Sequence, residues 1–236
     1  MAVKLLFPTP IFLRNFIDPQ LSPKDGFEIG YVETLKKEID WMREQDPKGR
    51  RISNAYTGWQ SNDGVDRNPI FQKCMNRIQR FIEQEVCLYY GTNSKVHMGN
   101  SWANINDSGA WNKPHLHNGC WHSGVFYIHA DGQEGHLDFI DTQPKVVGNM
   151  PNGIRSESSH AMEPKTGLCV LFPSAAMHMV HPNFSEKDRY SISFNFDLQD
   201  YHASDEEICE YHDKHRRNEN LFDLDDKGSL LINNIS

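Results

Sequence analysis

Arg189-Tyr190-Ser191-Ile192-Ser193-Phe194-Asn195-Phe196 alternates without a break between polar and apolar residues. On a β-strand, residues two apart share a face. Tyr190, Ile192, Phe194 and Phe196 therefore form one face, and Arg189, Ser191, Ser193 and Asn195 the other. A half-buried strand whose second face meets water usually carries Lys, Glu and Thr there. Here the polar face is small and uncharged apart from a single Arg, which suits a barrel lumen holding a polar ligand. Arg offers a rigid fork that matches a carboxylate and that Lys cannot imitate. A surface strand whose Arg snorkels to solvent fits the same residues, so the rest of the chain has to decide between the two.

From Lys95 onward, short β-rich runs alternate with Gly, Pro, Asn and Asp. They are Val96–Asn104, His115–His117, Gly124–His129, Gly135–Ile140, Leu168–Phe172, Met177–His181 and Tyr190–Leu198. Many short strands separated by turn signals indicate a sandwich or barrel. Before them, Lys4–Phe16 reads as a strand around a Pro-containing bend. Val32, Leu35, Ile39 and Met42 fall on one face of a helix, and Ser53–Asn68 reads as a long loop. A second helix is predicted over Pro69–Tyr89, with Pro69 at its first position and Ile70, Cys74, Ile78, Phe81, Ile82 and Val86 as its apolar stripe. The tail beyond Asp200 is charged and reads as partly helical. No internal repeat or linker interrupts the chain. The expectation is one domain over 1–236: an N-terminal strand and helical support over 1–94, a β-barrel core over 95–198 and a charged tail over 199–236.

Two further stretches carry candidate chemistry. In Pro114-His115-Leu116-His117, a strand conformation would project His115 and His117 together, as two ligands of one metal require. Neutral imidazole offers a lone pair near physiological pH. Two exposed histidines in a polar loop fit the dipeptide spacing as well. In the second stretch an apolar strand ends at Leu171-Phe172-Pro173-Ser174, turns, and re-enters at Met177-His178-Met179-Val180-His181-Pro182. A third ligand arriving from a distant strand is what a facial metal site needs. Otherwise His178 caps a loop and His181 lies on the surface.

The bulk numbers narrow the field. The chain has 236 residues, a net charge of -8 and a pI of about 5.8. With no Lys/Arg stripe, phosphate-driven nucleic-acid binding is not expected. Five cysteines, Cys74, Cys87, Cys120, Cys169 and Cys209, make an odd count with no C-x-x-C pair. That argues against both a disulfide framework and a zinc ribbon, and fits a reducing, cytoplasmic setting. The apolar Met1–Phe16 segment is broken by Pro8 and Pro10 and lacks a small-residue cleavage site, so it does not read as a signal peptide. No apolar run is long enough to span a bilayer, and no membrane association is expected.

Taken in order, these stretches resemble the iron- and 2-oxoglutarate-dependent oxygenase superfamily. Its motif order is H-x-D/E, a Tyr-containing strand, a Gly-Gly-x-Leu-x-Phe-like strand, a distal His and Arg-x-Ser. His115-Leu116-His117, Ser123–Ile128, Gly135-His136-Leu137-Asp138-Phe139, Gly167–Phe172 with His178, and Arg189-Tyr190-Ser191 stand at those places. More narrowly, the chain is similar to a family of 2-oxoglutarate/Fe(II) oxygenases of bacteria and phages with a prolyl-hydroxylase-like motif order. That likeness also rests on Leu6-Phe7-Pro8-Thr9-Pro10, Gly58-Trp59-Gln60-Ser61, Trp102-Ala103-Asn104-Ile105-Asn106 and the block Pro114 to Tyr127, and it covers about residues 4 to 198.

The resemblance implies a mainly β fold, a double-stranded β-helix (jelly roll) with flanking α-helices. It implies Fe(II) held by His115, His117 and His178, and 2-oxoglutarate bound by Arg189 with help from Ser191 and Tyr127. O2 and an unknown substrate, a peptidyl side chain or a small molecule, would complete the reaction, with release of succinate and CO2. A homodimer is compatible with the sequence. One departure stands out: His117 replaces the superfamily's carboxylate ligand. Either the site is a three-histidine face, or a carboxylate comes from elsewhere, Asp138 before Asp141. His122, His129, His136, His160 and His181 read as non-ligands. Trp111, Asn112 and Trp121 either line a substrate pocket or pack the barrel. Two rival readings remain: a three-histidine dioxygenase that uses no 2-oxoglutarate, and a non-catalytic jelly-roll module for binding or assembly. The polar-face Arg189 argues against the first. The want of a convincing fourth ligand argues against a structural metal in the second.

Overall fold

The parity of side chains along four long strands explains how the protein is layered. The computed structural model describes residues 9–142 and 159–199. The first residues of the expected Lys4–Phe16 strand, the start of the Leu6–Pro10 motif and the tail over 200–236 lie outside the described residues. The strands are β1 (Phe12–Asn15), β2 (Asn54–Ala55), β3 (Trp59–Gln60), β4 (Val96–Asn106), β5 (Trp111–His115), β6 (His122–His129), β7 (Leu137–Ile140), β8 (Ser159–Met162), β9 (Leu168–Pro173), β10 (His178–Val180) and β11 (Arg189–Leu198). Among the described residues they form two antiparallel sheets. A major sheet has the order β1-β9-β6-β11-β4-β3, and a minor sheet the order β2-β5-β10-β7-β8. Two sheets packed face to face give the mainly β jelly roll expected from the sequence.

On β11, Tyr190, Ile192, Phe194 and Phe196 enter the large core, as the alternation predicts. Their cross-strand neighbours agree: Ala103 and Ile105 of β4, Phe126 and Ile128 of β6, and Cys169 and Leu171 of β9 lie in the same core. Gly124 sits on this face because a Cβ there would lie 2.3 Å from the Phe194 ring. Two helices cover the face: α1 (Ile29–Gln45) buries Val32, Leu35 and Ile39, and α2 (Pro69–Phe81) buries Phe71, Cys74, Met75, Ile78 and Phe81. The alternate residues of the strands turn the other way. Tyr127, Val170 and Phe172 of the major sheet meet Leu137 of the minor sheet in a second, smaller core. The polar neighbours of that core line the space between the sheets.

Several expectations shift. Ser53–Asn68 is no plain loop: it carries β2, β3 and a 3-10 turn over Val65–Arg67. Two-residue strands are too short to show a period, and β3 is anchored by Trp59, whose buried indole donates to the Asp46 carbonyl at 2.8 Å. The second helix starts where predicted, with the Asn68 side chain accepting from Ile70 N–H at 3.0 Å and Pro69 in the first turn. It ends as an α-helix at Phe81, and a π-helical segment over Ile82–Val86 carries the chain on to Tyr89. Ile82 and Val86, four residues apart, both reach the core, while Ile70, counted in the stripe, is exposed and Phe71 replaces it. β8 was invisible because its first three residues are exposed and show no apolar alternation. The strand expected over His115–His117 stops at His115.

Candidate metal centre and its pocket

His115 closes β5, His178 opens β10, and the two residues face each other across that antiparallel pair. Their ring centroids are 4.3 Å apart. His117 lies two residues beyond the end of β5, so the pleat does not place it. Its N–H donates to the Ser174 carbonyl at 2.9 Å, and its ring stacks on Trp102 with centroids 5.9 Å apart. It also runs parallel to the His178 ring, within 3° at 5.2 Å. The three residues each offer one ligand atom, all within 4.8 Å of one another.

Hydrogen bonds assign the tautomers of two of these rings. His115 Nδ1 lies 2.6 Å from the Lys113 carbonyl, and His178 Nδ1 lies 2.8 Å from the Ala176 carbonyl. A carbonyl oxygen only accepts, so each Nδ1 carries its hydrogen and each Nε2 keeps its lone pair. Such outer contacts fix a ligating imidazole's orientation. Burial lowers the pKa of all three rings. His117 is pushed down to about 4 by burial and then by His115, and His178 to about 3 by burial and then chiefly by His115. All three are therefore neutral at pH 7. Phe172 and Phe139 pack against His178, with centroids at 4.7 and 6.2 Å, and wall one side of the cluster with apolar rings.

The alternative carboxylate points away. Leu137 lines the pocket, and the pleat sends Asp138 to the opposite face of β7, where its Oδ2 lies 3.2 Å from His181 Nε2. His122 belongs to the helix-covered face, with its Nε2 3.1 Å from the Tyr90 hydroxyl and Trp121 packed on its ring at 4.2 Å. Among the described residues, His129, His136, His160 and His181 also lie outside the cluster.

The cluster opens onto a cavity of about 60 Å³ between the sheets, also lined by Tyr127, Arg189, Ser191, Ser193, Asn104 and Asn112. The sequence thus brought Arg189, Ser191 and Tyr127 to the same space as the three histidines. Arg189 is 2% exposed. Its Nη1 donates to the carbonyls of Gly135 at 2.7 Å and Glu134 at 3.2 Å, and among the described residues its Nε has no partner. Its Cζ stands 5.8 Å from the centre of the Tyr127 ring. Burial pulls the Arg189 pKa down, while Tyr127 and Glu134 hold it up. Among the described residues no carboxylate comes within ion-pair distance of the guanidinium. With Nη1 engaged, Nε and Nη2 are the donors that remain, and an edge of that kind matches two carboxylate oxygens.

A wider cavity of about 370 Å³ adjoins the first and shares His115, His117 and Trp102 with it. Its remaining wall includes Gln60, Asn100, Asn195, Arg50 and Lys113. Sequence reasoning gave no role to Trp102, Gln60 or Glu134. For Trp102 a signal existed: Trp102, Asn104 and Asn106 alternate with Ala103 and Ile105 as the polar face of β11 alternates with its apolar one.

Residues 100–195 match a family described as "Putative 2OG-Fe(II) oxygenase". The matched segment runs from within β4 to within β11 and contains the three histidines and Arg189. No curated protein matches the chain in sequence. Solved structures match it in fold. A prolyl-4-hydroxylase from Pseudomonas putida is 16% identical, with 81% of this chain and 94% of that one covered and a TM-score of 0.53. A prolyl hydroxylase from Trichoplax adhaerens, in complex with a hypoxia inducible factor oxygen degradation domain peptide fragment, is 14% identical over 79% of this chain and 83% of that one, with a TM-score of 0.56. HygX from Streptomyces hygroscopicus, with nickel and 2-oxoglutarate bound, is 12% identical over 80% and 83%, with a TM-score of 0.51. At these identities the likeness establishes the jelly-roll fold of such oxygenases. No helix among the described residues is long and apolar enough to cross a membrane.

Proposed function

We propose that this chain is an Fe(II)- and 2-oxoglutarate-dependent oxygenase that hydroxylates a peptidyl side chain or a small molecule. The observation that carries the proposal is a single pocket holding three neutral histidines and a buried guanidinium whose Nε has no partner among the described residues. The residues fit both groups. Imidazole nitrogens suit a divalent iron, and an orphaned buried N–H of a cation calls for an anionic acceptor.

When bound, the Fe(II)/2-oxoglutarate pair supplies oxidative decarboxylation to succinate and CO2, coupled to insertion of one oxygen atom from O2 into a substrate C–H bond. The protein's part is placement. His115, His117 and His178 hold the metal on one face through ring nitrogens, two of them oriented by the Lys113 and Ala176 carbonyls. A face of neutral ligands leaves a bound divalent ion one positive charge higher than a face with a carboxylate. Arg189 holds the distal carboxylate of the cosubstrate, with the Ser191 hydroxyl and Tyr127 beside it. Phe139 and Phe172 exclude water from the His178 side. The wider cavity beyond His115 and His117 takes the substrate, with Trp102 as its platform.

The helices over 1–94 share one core with the sheet of 95–198, which supports a single oxygenase domain. Cys74, Cys87, Cys120 and Cys169 are free thiols, as a cytoplasmic protein would have. A three-histidine dioxygenase that needs no 2-oxoglutarate is favoured only by the ligand set itself. One experiment separates the two: metal-loaded protein incubated with 2-oxoglutarate, with succinate measured in the presence and absence of candidate substrates. Succinate formation supports the proposal, and no 2-oxoglutarate uptake supports the alternative.

A further inference from the structure

The turn Asp131-Gly132-Gln133-Glu134-Gly135 joins β6 to β7 and carries a charge the proposed chemistry does not use. Glu134 is fully buried, at 0% exposure. Its carboxylate folds back onto its own turn and accepts the N–H groups of Asp131 at 3.0 and 3.1 Å, Gly132 at 3.2 Å and Gln133 at 3.1 Å. Among the described residues no cationic side chain pairs with it. The carbonyls of the same turn, at Glu134 and Gly135, take Nη1 of the equally buried Arg189. One five-residue turn therefore solvates two opposite buried charges, an anion with its N–H groups and a cation with its C=O groups.

The turn has little freedom to move. Gly135 has a φ of +86°, and a Cβ at that position would lie 2.2 Å from the His181 carbonyl oxygen. Asp131 is tied to Lys187, two residues before Arg189. A buried carboxylate held by the backbone N–H groups of its own turn and by the Asp131 side chain, with no cation paired to it among the described residues, is an expensive way to close a turn. Holding Arg189 gives that arrangement a purpose.

We infer that Glu134 is a positioning residue: by locking the Asp131–Gly135 turn it fixes the two carbonyls that grip Nη1 of Arg189, and so presents the Nε edge of the guanidinium to the distal carboxylate of the cosubstrate. This rests on the proposed role of Arg189. Glu134 touches neither metal nor cosubstrate and acts through the guanidinium. Its charge also compensates Arg189 when no ligand is present.

The test is Glu134→Gln, which keeps the side chain's shape but replaces one acceptor oxygen with an NH2 that cannot accept from the turn. Metal-loaded wild type and variant are titrated calorimetrically with 2-oxoglutarate and with oxalate, which chelates a metal but has no distal carboxylate. Loss of the fork's aim should weaken 2-oxoglutarate binding about tenfold or more, with oxalate and metal binding within twofold of wild type. A purely structural role would lower both ligands together, and that result overturns the inference. Equal 2-oxoglutarate affinity in a folded variant also overturns it, while leaving the proposed function standing. No 2-oxoglutarate binding to wild type overturns both. If Glu134→Gln does not fold, Glu134→Asp keeps the charge but shortens its reach. It should still lose at least threefold in 2-oxoglutarate affinity, and unchanged affinity counts against the inference.

Discussion

His115 and His178 sit directly opposite each other on β5 and β10, and each rests its Nδ1 on the carbonyl two residues before it. The same local hydrogen bond on two neighbouring strands turns both Nε2 lone pairs outward from their backbones. Removing these rings removes two of three nitrogen donors. His115→Ala/His178→Ala is therefore expected to lose Fe(II) affinity by orders of magnitude. Elemental analysis after dialysis against limiting iron checks this, and undiminished iron in the double variant would refute the assignment.

His117 is held by its own N–H on the Ser174 carbonyl and by the Trp102 ring, not by the pleat of β5. His117→Asp puts a carboxylate at the place where the motif order that this sequence resembles carries one, and would lower the net charge at a bound ion by one. The variant should retain stoichiometric iron and turn over 2-oxoglutarate at least as fast as the parent. A crystal structure of iron-loaded wild type with His117 turned away and Asp138 on the metal would contradict this account.

Acid should destabilise the protein partly through His122. Burial pushes its pKa down to about 4 from an ordinary value of 6.5. Between those values the unfolded chain binds a proton that the folded one refuses, so stability rises with pH across that window. His122 therefore costs nothing above pH 6.5 and progressively more as pH falls toward 4. Urea unfolding of metal-free wild type and His122→Phe at pH 7 and pH 5 measures the difference. Wild type should lose more stability than the variant over that interval, and equal losses would remove His122 from the explanation.

The β-core was legible because the long strands obey a period of two on both faces. Arg189–Phe196 announced which residues face the helices and which the lumen, and the core follows that division. The three histidines were legible only through the order of motifs. His115 and His117 converge, but the strand expected to align them ends at His115, and a hydrogen bond from a distant turn does the rest. Asn54–Ala55, Trp59–Gln60 and Ser159–Met162 were hidden because strands this short or this exposed carry no pattern. Glu134 was hidden for a different reason. An acidic residue in a Gly-rich turn that also carries Asp131 reads as solvated surface, and only the fold shows Glu134 at 0% exposure beside a buried Arg.

The proposed function requires Arg189 to bind the distal carboxylate of 2-oxoglutarate in the pocket of the three histidines. Losing a charge-assisted contact while leaving its partner charge buried costs on the order of 2–5 kcal/mol. At about 1.4 kcal/mol per decade, Arg189→Met should weaken 2-oxoglutarate binding roughly 30-fold or more, with iron affinity nearly unchanged because Arg189 is not a ligand. Calorimetric titration of metal-loaded wild type and Arg189→Met with 2-oxoglutarate measures this directly. Clear binding to wild type and a loss of that size in the variant are expected; equal binding to both, or none to wild type, would refute the role of Arg189.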